Sequence, residues 1–190
     1  MIELSVLVLA GGESSRLKVC KQMIDYHGNT LIAQACRRAL SVSDNVTVVT
    51  GAYRHRVEAE VSKFNVNILY TENWKQGIAV SLAYAVKREF NVDRLLIMYC
   101  NQPFIPAEHY KALVEASKKE PKKIIASSVD GRLTIPAVIP HHLFYELTTL
   151  EKEETADLII QDREAEVIAI DCPQAEFSVN TPADMAKLRS

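Results

Sequence analysis

The sequence predicts an α/β fold of three layers, α/β/α, with helices on both faces of a Rossmann-like, mostly parallel sheet. Three observations carry this expectation. Short, β-branched and almost wholly apolar runs recur along the chain, as strands covered on both faces require. Longer stretches with apolar residues at helical spacing separate them. Alternation of the two implies right-handed crossovers and parallel neighbours.

Leu4–Leu9 is the first strand, and a glycine-bearing loop follows it. Ile32, Cys36 and Leu40 then recur every four residues behind Asn29 or Thr30, and the side chain of either can cap a helix by accepting a backbone N–H. Val46–Thr50 is the second strand and Arg56–Phe64 the second helix. Val66–Tyr70 is the third strand, and Ile78, Leu82, Ala85 and Val86 mark the third helix. Leu95–Tyr99 is the fourth strand, Pro106–Lys119 a helix and Lys123–Ser127 the fifth strand. Beyond it the pattern loosens. Arg132–Ile139 reads as extended, but Pro136 cannot donate to a ladder, which predicts an edge or antiparallel strand. Pro140–Thr149 and Thr155–Gln161 read as helices and Val167–Ile170 as a last strand. Thr181–Arg189 is a closing helix with Thr181 as cap and Pro182 at its first position.

Composition excludes more than it assigns. At 190 residues, 48% hydrophobic and 24% charged, the chain is expected to form one domain over 1–190. A domain of this size buries roughly 70% of its unfolded surface and needs no disulfide or metal staple. Twenty-two Lys+Arg against 24 Asp+Glu give a net charge of -2, which argues against a nucleic-acid partner. No apolar run approaches the ~20 residues of a membrane span. Met1-Ile2-Glu3 has no basic, leader-like start, so a cytoplasmic protein is expected. Cys20, Cys36, Cys100 and Cys172 form no CxxC pair and read as free, buried thiols. His141-His142 lacks metal spacing and reads as surface. So do the lysines at 118, 119, 122 and 123.

Ligands of an open parallel sheet bind beyond the carboxyl ends of its strands. The loop there, Leu9 to Lys21, carries the paired Gly11-Gly12, Ser14, Ser15, Arg16 and Lys21. Glycines let backbone N–H groups approach an anion closely, and Arg16 and Lys21 add fixed positive charge. That is the chemistry of a triphosphate cradle. It is neither a P-loop, which would need glycine where Leu17 stands, nor a GxGxxG dinucleotide loop.

Leu9-Ala10-Gly11-Gly12-x-Ser14-Ser15-Arg16-Leu17, followed by Lys21, resembles the signature of the MobA-like nucleotidyltransferases. These include the molybdenum cofactor guanylyltransferases and cytidylyltransferases and, more distantly, sugar-phosphate nucleotidyltransferases. Four more blocks stand in the same order. Asn73–Leu82 is similar to the cytidylyltransferase N-W-x-x-G-M-x-x-S-L, and Cys100–Phe104 stands where that branch has G-D-Q-P. Gly131–Ala137 resembles G-R-x-G-H-P, and Val179–Met185 matches the closing D/N-T-P-E-D-L. The resemblance runs from Leu9 to Leu188 and is closest to the cytidylyltransferase branch, with some guanylyltransferase features. It implies a fold of the nucleotide-diphospho-sugar transferase type. It also implies attack of a phosphorylated acceptor on the α-phosphorus of a nucleoside triphosphate, with pyrophosphate released.

Carried over by position, Leu9, Ala10, Gly11, Gly12 and Ser14 bind nucleotide, the glycines and serine wrapping the phosphates. Arg16 meets the β/γ oxygens and Lys21 stabilises charge at the α-phosphate. Thr50, Gly51, Gly77 and Ser81 line the nucleoside pocket. Asn101 and Asn180 stand at the metal positions, for Mg²⁺. The implied partners are CTP, or GTP, a phosphorylated pterin-type acceptor, and a molybdoenzyme or its maturation chaperone. The match departs at four positions: Asn101 replaces a metal-binding aspartate, Asn180 is the guanylyltransferase reading, Ile135 replaces the G-H-P histidine, and Glu13 replaces a basic residue. Three readings stay open. One is an active enzyme whose Mg²⁺ is held by the triphosphate, Asn101 and a further carboxylate such as Asp25. Another is a degenerate homologue that binds nucleotide or pterin without efficient transfer. The third is a sugar-phosphate nucleotidyltransferase.

Overall fold

The computed structural model describes residues 2–89, 91–152 and 154–188, without the side chain of Ile2. Strand β1 (Ile2–Leu9) leads through a long loop into a small hairpin, β2 (Asp25–Tyr26) and β3 (Asn29–Thr30), and then α1 (Leu31–Leu40). Next come β4 (Val46–Thr50), α2 (Arg54–Val61), β5 (Asn67–Tyr70), α3 (Ile78–Val86), β6 (Val92–Tyr99) and α4 (Ala107–Lys119). The second half holds β7 (Ile124–Val129), β8 (Arg132–Pro140), α5 (Phe144–Thr148), α6 (Ala156–Asp162), β9 (Val167–Asp171) and α7 (Pro182–Lys187). Arg189, the expected end of the closing helix, lies outside the described residues.

Seven strands form one sheet in the order β5-β4-β1-β6-β8-β7-β9, and only β8 runs against its neighbours. The expected mostly parallel α/β/α fold is therefore what the chain adopts. One core packs α1, α2 and α4 on one face around Val6, Val8, Leu96 and Met98. A second packs α3, α5 and α6 on the other around Leu7, Leu95 and Ile97. Alternate residues of β1 and β6 thus serve opposite cores, which is why both strands read as nearly continuous apolar runs. Each such leucine or isoleucine contributes about 2 kcal/mol by leaving water. Thr30 caps α1 by accepting the Ala33 N–H at 3.1 Å. Thr181 caps α7, with Asp184 completing a capping box. All four cysteines are free and buried, and burial pushes the Cys36 and Cys100 thiols up to about 12 and about 11.

The strand containing Pro136 is antiparallel, as expected, but it is not an edge. It lies between β6 and β7, and a bulge resolves the conflict. Ala126 pairs with Ala137 and Ser127 with Thr134, so Ile135 and Pro136 fall between paired positions and the missing N–H costs no ladder bond. The bulge is pinned from the side. Ser127 Oγ donates to the Pro136 carbonyl oxygen at 2.6 Å and accepts from His109 Nε2 at 2.8 Å. That arrangement places a proton on His109 Nε2.

Burial lowers the His109 pKa below its ordinary 6.5, with Asp171 opposing. The unfolded chain therefore takes up the proton first as pH falls, and the protein loses stability as pH drops below about 6.5. Urea midpoints measured from pH 8 downwards should show this slope in the wild type and a flatter one in His109→Gln. Equal slopes would remove His109 from the account.

Candidate active site

Leu9 pairs with both Val49 and Tyr99, so β1, β4 and β6 end level with one another. The chain winds outward from β1 through β4 to β5 and then returns to β6 on the other side. At that switch point, beyond the carboxyl ends, lies a cleft of about 400 Å³. Leu9, Ala10, Gly11, Gly12, Lys21, Gly77, Ser81, Asn101 and Asn180 all line it, although they come from five separate stretches of sequence.

The loop after β1 is held by its carbonyl groups. Gln22, fully buried, donates its side-chain amide to the Ala10 carbonyl at 2.8 Å and the Gly12 carbonyl at 3.0 Å. The Gly11 carbonyl accepts from Ala52 N–H at 3.0 Å. With three successive oxygens tied back, the N–H groups of Gly11, Gly12 and Glu13 make no hydrogen bond among the described residues. Unpaired donors at a cleft are an anion cradle. Gln22 gave no signal in the sequence, because its role depends on where two carbonyls point.

Lys21 passes beneath Gly12, whose added Cβ would lie 3.9 Å from the lysine Cε. Its ammonium donates to Asn180 Oδ1 at 3.1 Å. Burial lowers the Lys21 pKa from its ordinary value, Cys100 raises it, and neighbouring Arg16 adds like charge. Asn101 Nδ2 donates both to the same Asn180 Oδ1 and to the Val179 carbonyl, each at 3.1 Å, while Val179 N–H returns a bond to the Asn101 carbonyl at 2.9 Å. Asp184 fixes Asn180 in turn, accepting its backbone N–H at 3.0 Å. That bond is the first cause of a lowered Asp184 pKa.

The opposite wall is built by the start of α3 and the segment before it. Gly77 has φ +106° and backs onto the Lys152 carbonyl, 2.6 Å from where a Cβ would stand. Ser81, Ile78, Trp74, Lys75 and Tyr99 face the space. Burial raises the Tyr99 phenol pKa, with Asp157 adding to it. Trp74, the only tryptophan, Tyr99 and Ser178 had not been singled out as site residues.

Three expected nucleotide residues and one expected catalytic residue sit elsewhere. Thr50 is fully buried and donates to Glu58 at 2.9 Å, on the α2 side of the sheet. Strand alternation explains this, since its neighbour Val49 is the one that faces the cleft. Gly51 lies behind the lining, wedged where a Cβ would meet Trp74 Cβ at 2.6 Å and the Gly11 oxygen at 2.7 Å. Ser14, at φ +58°, accepts the Lys21 N–H at 3.3 Å and closes the loop. Arg16 is exposed at the rim and has no ion-pair partner among the described residues.

The model of the MobA-like NTP transferase domain matches residues 6–167. The chain belongs to this family. Its members are nucleotidyltransferases, and this MobA-like chain is an enzyme of that type. It is 25% identical to a probable molybdenum cofactor guanylyltransferase of Nostoc sp., over all of this chain and 92% of that one. Its fold is shared with the Rv0371c protein of Mycobacterium tuberculosis H37Rv, at TM-score 0.85 and 21% identity, covering 98% and 97% of the two chains. It is shared too with molybdopterin-guanine dinucleotide biosynthesis protein A of Archaeoglobus fulgidus, at TM-score 0.72 and 15% identity, covering 97% and 96%.

The Rv0371c protein has also been solved in complex with manganese. In this MobA-like chain the donor set at Asn101 and Asn180 does not fit a divalent cation. Mg²⁺ prefers charged oxygens in octahedral array. Asn180 Oδ1 is already taken by an ammonium and an amide, and Asn101 turns its NH₂ inward. Asp25, the further carboxylate considered, is exposed in the β2–β3 turn, where it accepts from Gly28 N–H at 3.2 Å. Among the described residues, Glu13 is the one carboxylate lining the cleft.

Lys21→Ala should weaken triphosphate binding at least about tenfold, the scale of a charge-assisted bond. Arg16→Ala, at the exposed rim, should weaken it by about threefold. Trp74 fluorescence reads both, and wild-type affinity in both variants would refute the loop assignment. Gly51→Ala should destabilise the fold by about 1–3 kcal/mol through overpacking and shift the Trp74 emission. An unchanged urea midpoint would contradict the close approach at Gly51.

Proposed function

We propose that residues 1–190 act as a single domain that transfers CMP from CTP to the terminal phosphate of a molybdopterin acceptor, releasing pyrophosphate. The observation that carries this reading is the row of unpaired N–H groups at Gly11, Gly12 and Glu13, above the half-buried Lys21 ammonium. A polyphosphate answers both needs at once. The β- and γ-phosphates accept from the N–H groups, with Arg16 reaching them from the rim. Lys21 meets the α-phosphate.

The chemistry needs little beyond placement and charge. An anionic oxygen of the acceptor phosphate attacks the α-phosphorus in line, and the bond from that phosphorus to the oxygen bridging the β-phosphate breaks. Pyrophosphate leaves with the electron pair, so no proton must move. Lys21 stabilises the charge that spreads over the equatorial oxygens. Leu9, Ala10, Gly77 and Ser81 hold the nucleoside against Trp74 and Tyr99, while Thr50 and Gly51 support that wall from behind. Any Mg²⁺ enters with the triphosphate, since Asn101 and Asn180 offer it no charge.

CTP is favoured because the Asn73–Leu82 block, similar to the cytidylyltransferase pattern, forms this wall. A second reading, GTP, is favoured by the similarity to the Nostoc protein, a probable molybdenum cofactor guanylyltransferase. The product would pass to a molybdoenzyme or its maturation chaperone in the cytoplasm. Among the described residues no helix is long and apolar enough to cross a membrane.

Pyrophosphate release with CTP and with GTP, each with molybdopterin and a divalent metal supplied, tests the assignment. CTP should give the faster release and the larger Trp74 response. GTP preference would replace the base assignment. Nucleotide binding without turnover on any triphosphate would leave a binding protein rather than this enzyme.

A further inference from the structure

Two oxygens and two nitrogens beneath the loop decide how the site supplies positive charge. Asn101 Nδ2 stands 3.1 Å from the Val179 carbonyl oxygen and 3.1 Å from Asn180 Oδ1. Both of its hydrogens are therefore engaged by acceptors. The orientation follows from the partners, because a carbonyl oxygen on one side and a lysine-bound oxygen on the other both demand a donor. Asn180 Oδ1 in turn receives two donors, the amide and the Lys21 ammonium at 3.1 Å, and both its lone pairs are spent.

A carboxylate at position 101 could not make this arrangement. Its second oxygen would face two oxygens at hydrogen-bond distance, an array that only a bound cation or a proton relieves. The asparagine is thus matched to a site without a protein-held metal. Lys21 meanwhile has no carboxylate within 4 Å among the described residues, so its charge is opposed only by amide oxygen. An anion in the cleft is the partner it lacks.

We propose that a fixed ammonium takes the place of a protein-held divalent cation in this chain: Lys21, locked by Asn180 and Asn101, binds the triphosphate in the absence of any divalent metal. This deepens the nucleotidyltransferase reading and rests on a nucleoside triphosphate being the ligand of the cleft.

The test uses the full chain, with non-hydrolysable analogues of CTP and GTP as probes and Trp74 fluorescence as the readout. Affinity in EDTA should lie within about threefold of that in Mn²⁺, because the asparagines at 101 and 180 give the ion no charged ligand. The double variant Asn101→Asp/Asn180→Asp should behave oppositely. Its melting temperature should fall in EDTA and recover with Mn²⁺, whereas the wild-type melting temperature is unmoved by Mn²⁺ alone. Its analogue affinity should drop at least about tenfold when the metal is withdrawn.

The proposal is overturned if wild-type binding is lost in EDTA, or if electron paramagnetic resonance finds Mn²⁺ bound to the wild type without nucleotide. Both of those outcomes need no variant, so misfolding of the double mutant does not shield the proposal. Failure of every triphosphate analogue to bind, with metal and without, overturns instead the nucleotide reading on which this one rests.

Discussion

Lys21 and Asn180 lie 159 positions apart, and the 3.1 Å bond between them joins the beginning of the chain to its end beneath the cleft. An ammonium withdrawn from water must find acceptors, because an unmatched buried charge is costly. The neutral amide oxygen satisfies the hydrogen bond and leaves the charge uncancelled. Around that bond the structure is organised to keep both partners in place. Leu17 and Leu31 pack with Val179 in a small apolar cluster, so the loop, the first helix and the closing segment share one anchor. The Asp184 cap then fixes the Asn180 backbone. Anything that loosened the closing segment would leave Lys21 facing solvent and the cleft without its floor.

The roof over Lys21 follows from the same kind of pairing. Backbone groups near a ligand are useful only when their other commitments are settled elsewhere. Gln22 and Ala52 settle the carbonyls of residues 10 to 12, and that frees the adjacent N–H groups without leaving any oxygen unmatched. Gly51 is part of this device, since a side chain there would collide with the Gly11 oxygen on one side and Trp74 on the other. Loop and aromatic wall are therefore in mutual contact through a single glycine. The rigidity of the cradle comes from the sheet ends and a buried amide rather than from the glycines that give it its shape.

The layers of the fold were legible because β1, β4 and β6 are largely buried on both faces and read as mostly apolar runs. What escaped the pattern was set by pairing. The two-residue strands β2 and β3 are too short to show a period. Pro136 argued for an edge, and only the bulge opposite Ser127 lets it sit inside the sheet. Within the site, residues whose backbone or charge does the work (Gly11, Gly12, Lys21) could be read from type and spacing. Thr50 could not, because the direction of one side chain at a strand end depends on register. Asn101 was legible as a departure, yet its meaning lay in the Val179 carbonyl 78 positions later.

Replacing a divalent ion with an ammonium changes what the rest of the site must do. A metal brings two charges and six directed positions, whereas an ammonium brings one charge and three donors. Half the neutralising charge is then missing at the α-phosphate, and geometry that a metal would impose must come from fixed donors. The chain holds both kinds of compensation. Lys75 lines the wall as a further cation, exposed Arg16 lies near enough to Lys21 to act on its charge, and the cradle N–H groups supply direction without charge. Glu13 works against them, which places it where the phosphates' outer oxygens would have to be kept apart from it. Charge in this cleft is thus distributed over several groups instead of concentrated in one ion. A transition state whose charge spreads over equatorial oxygens suits such a distribution better than a ground-state triphosphate, whose charge is greatest at its γ end.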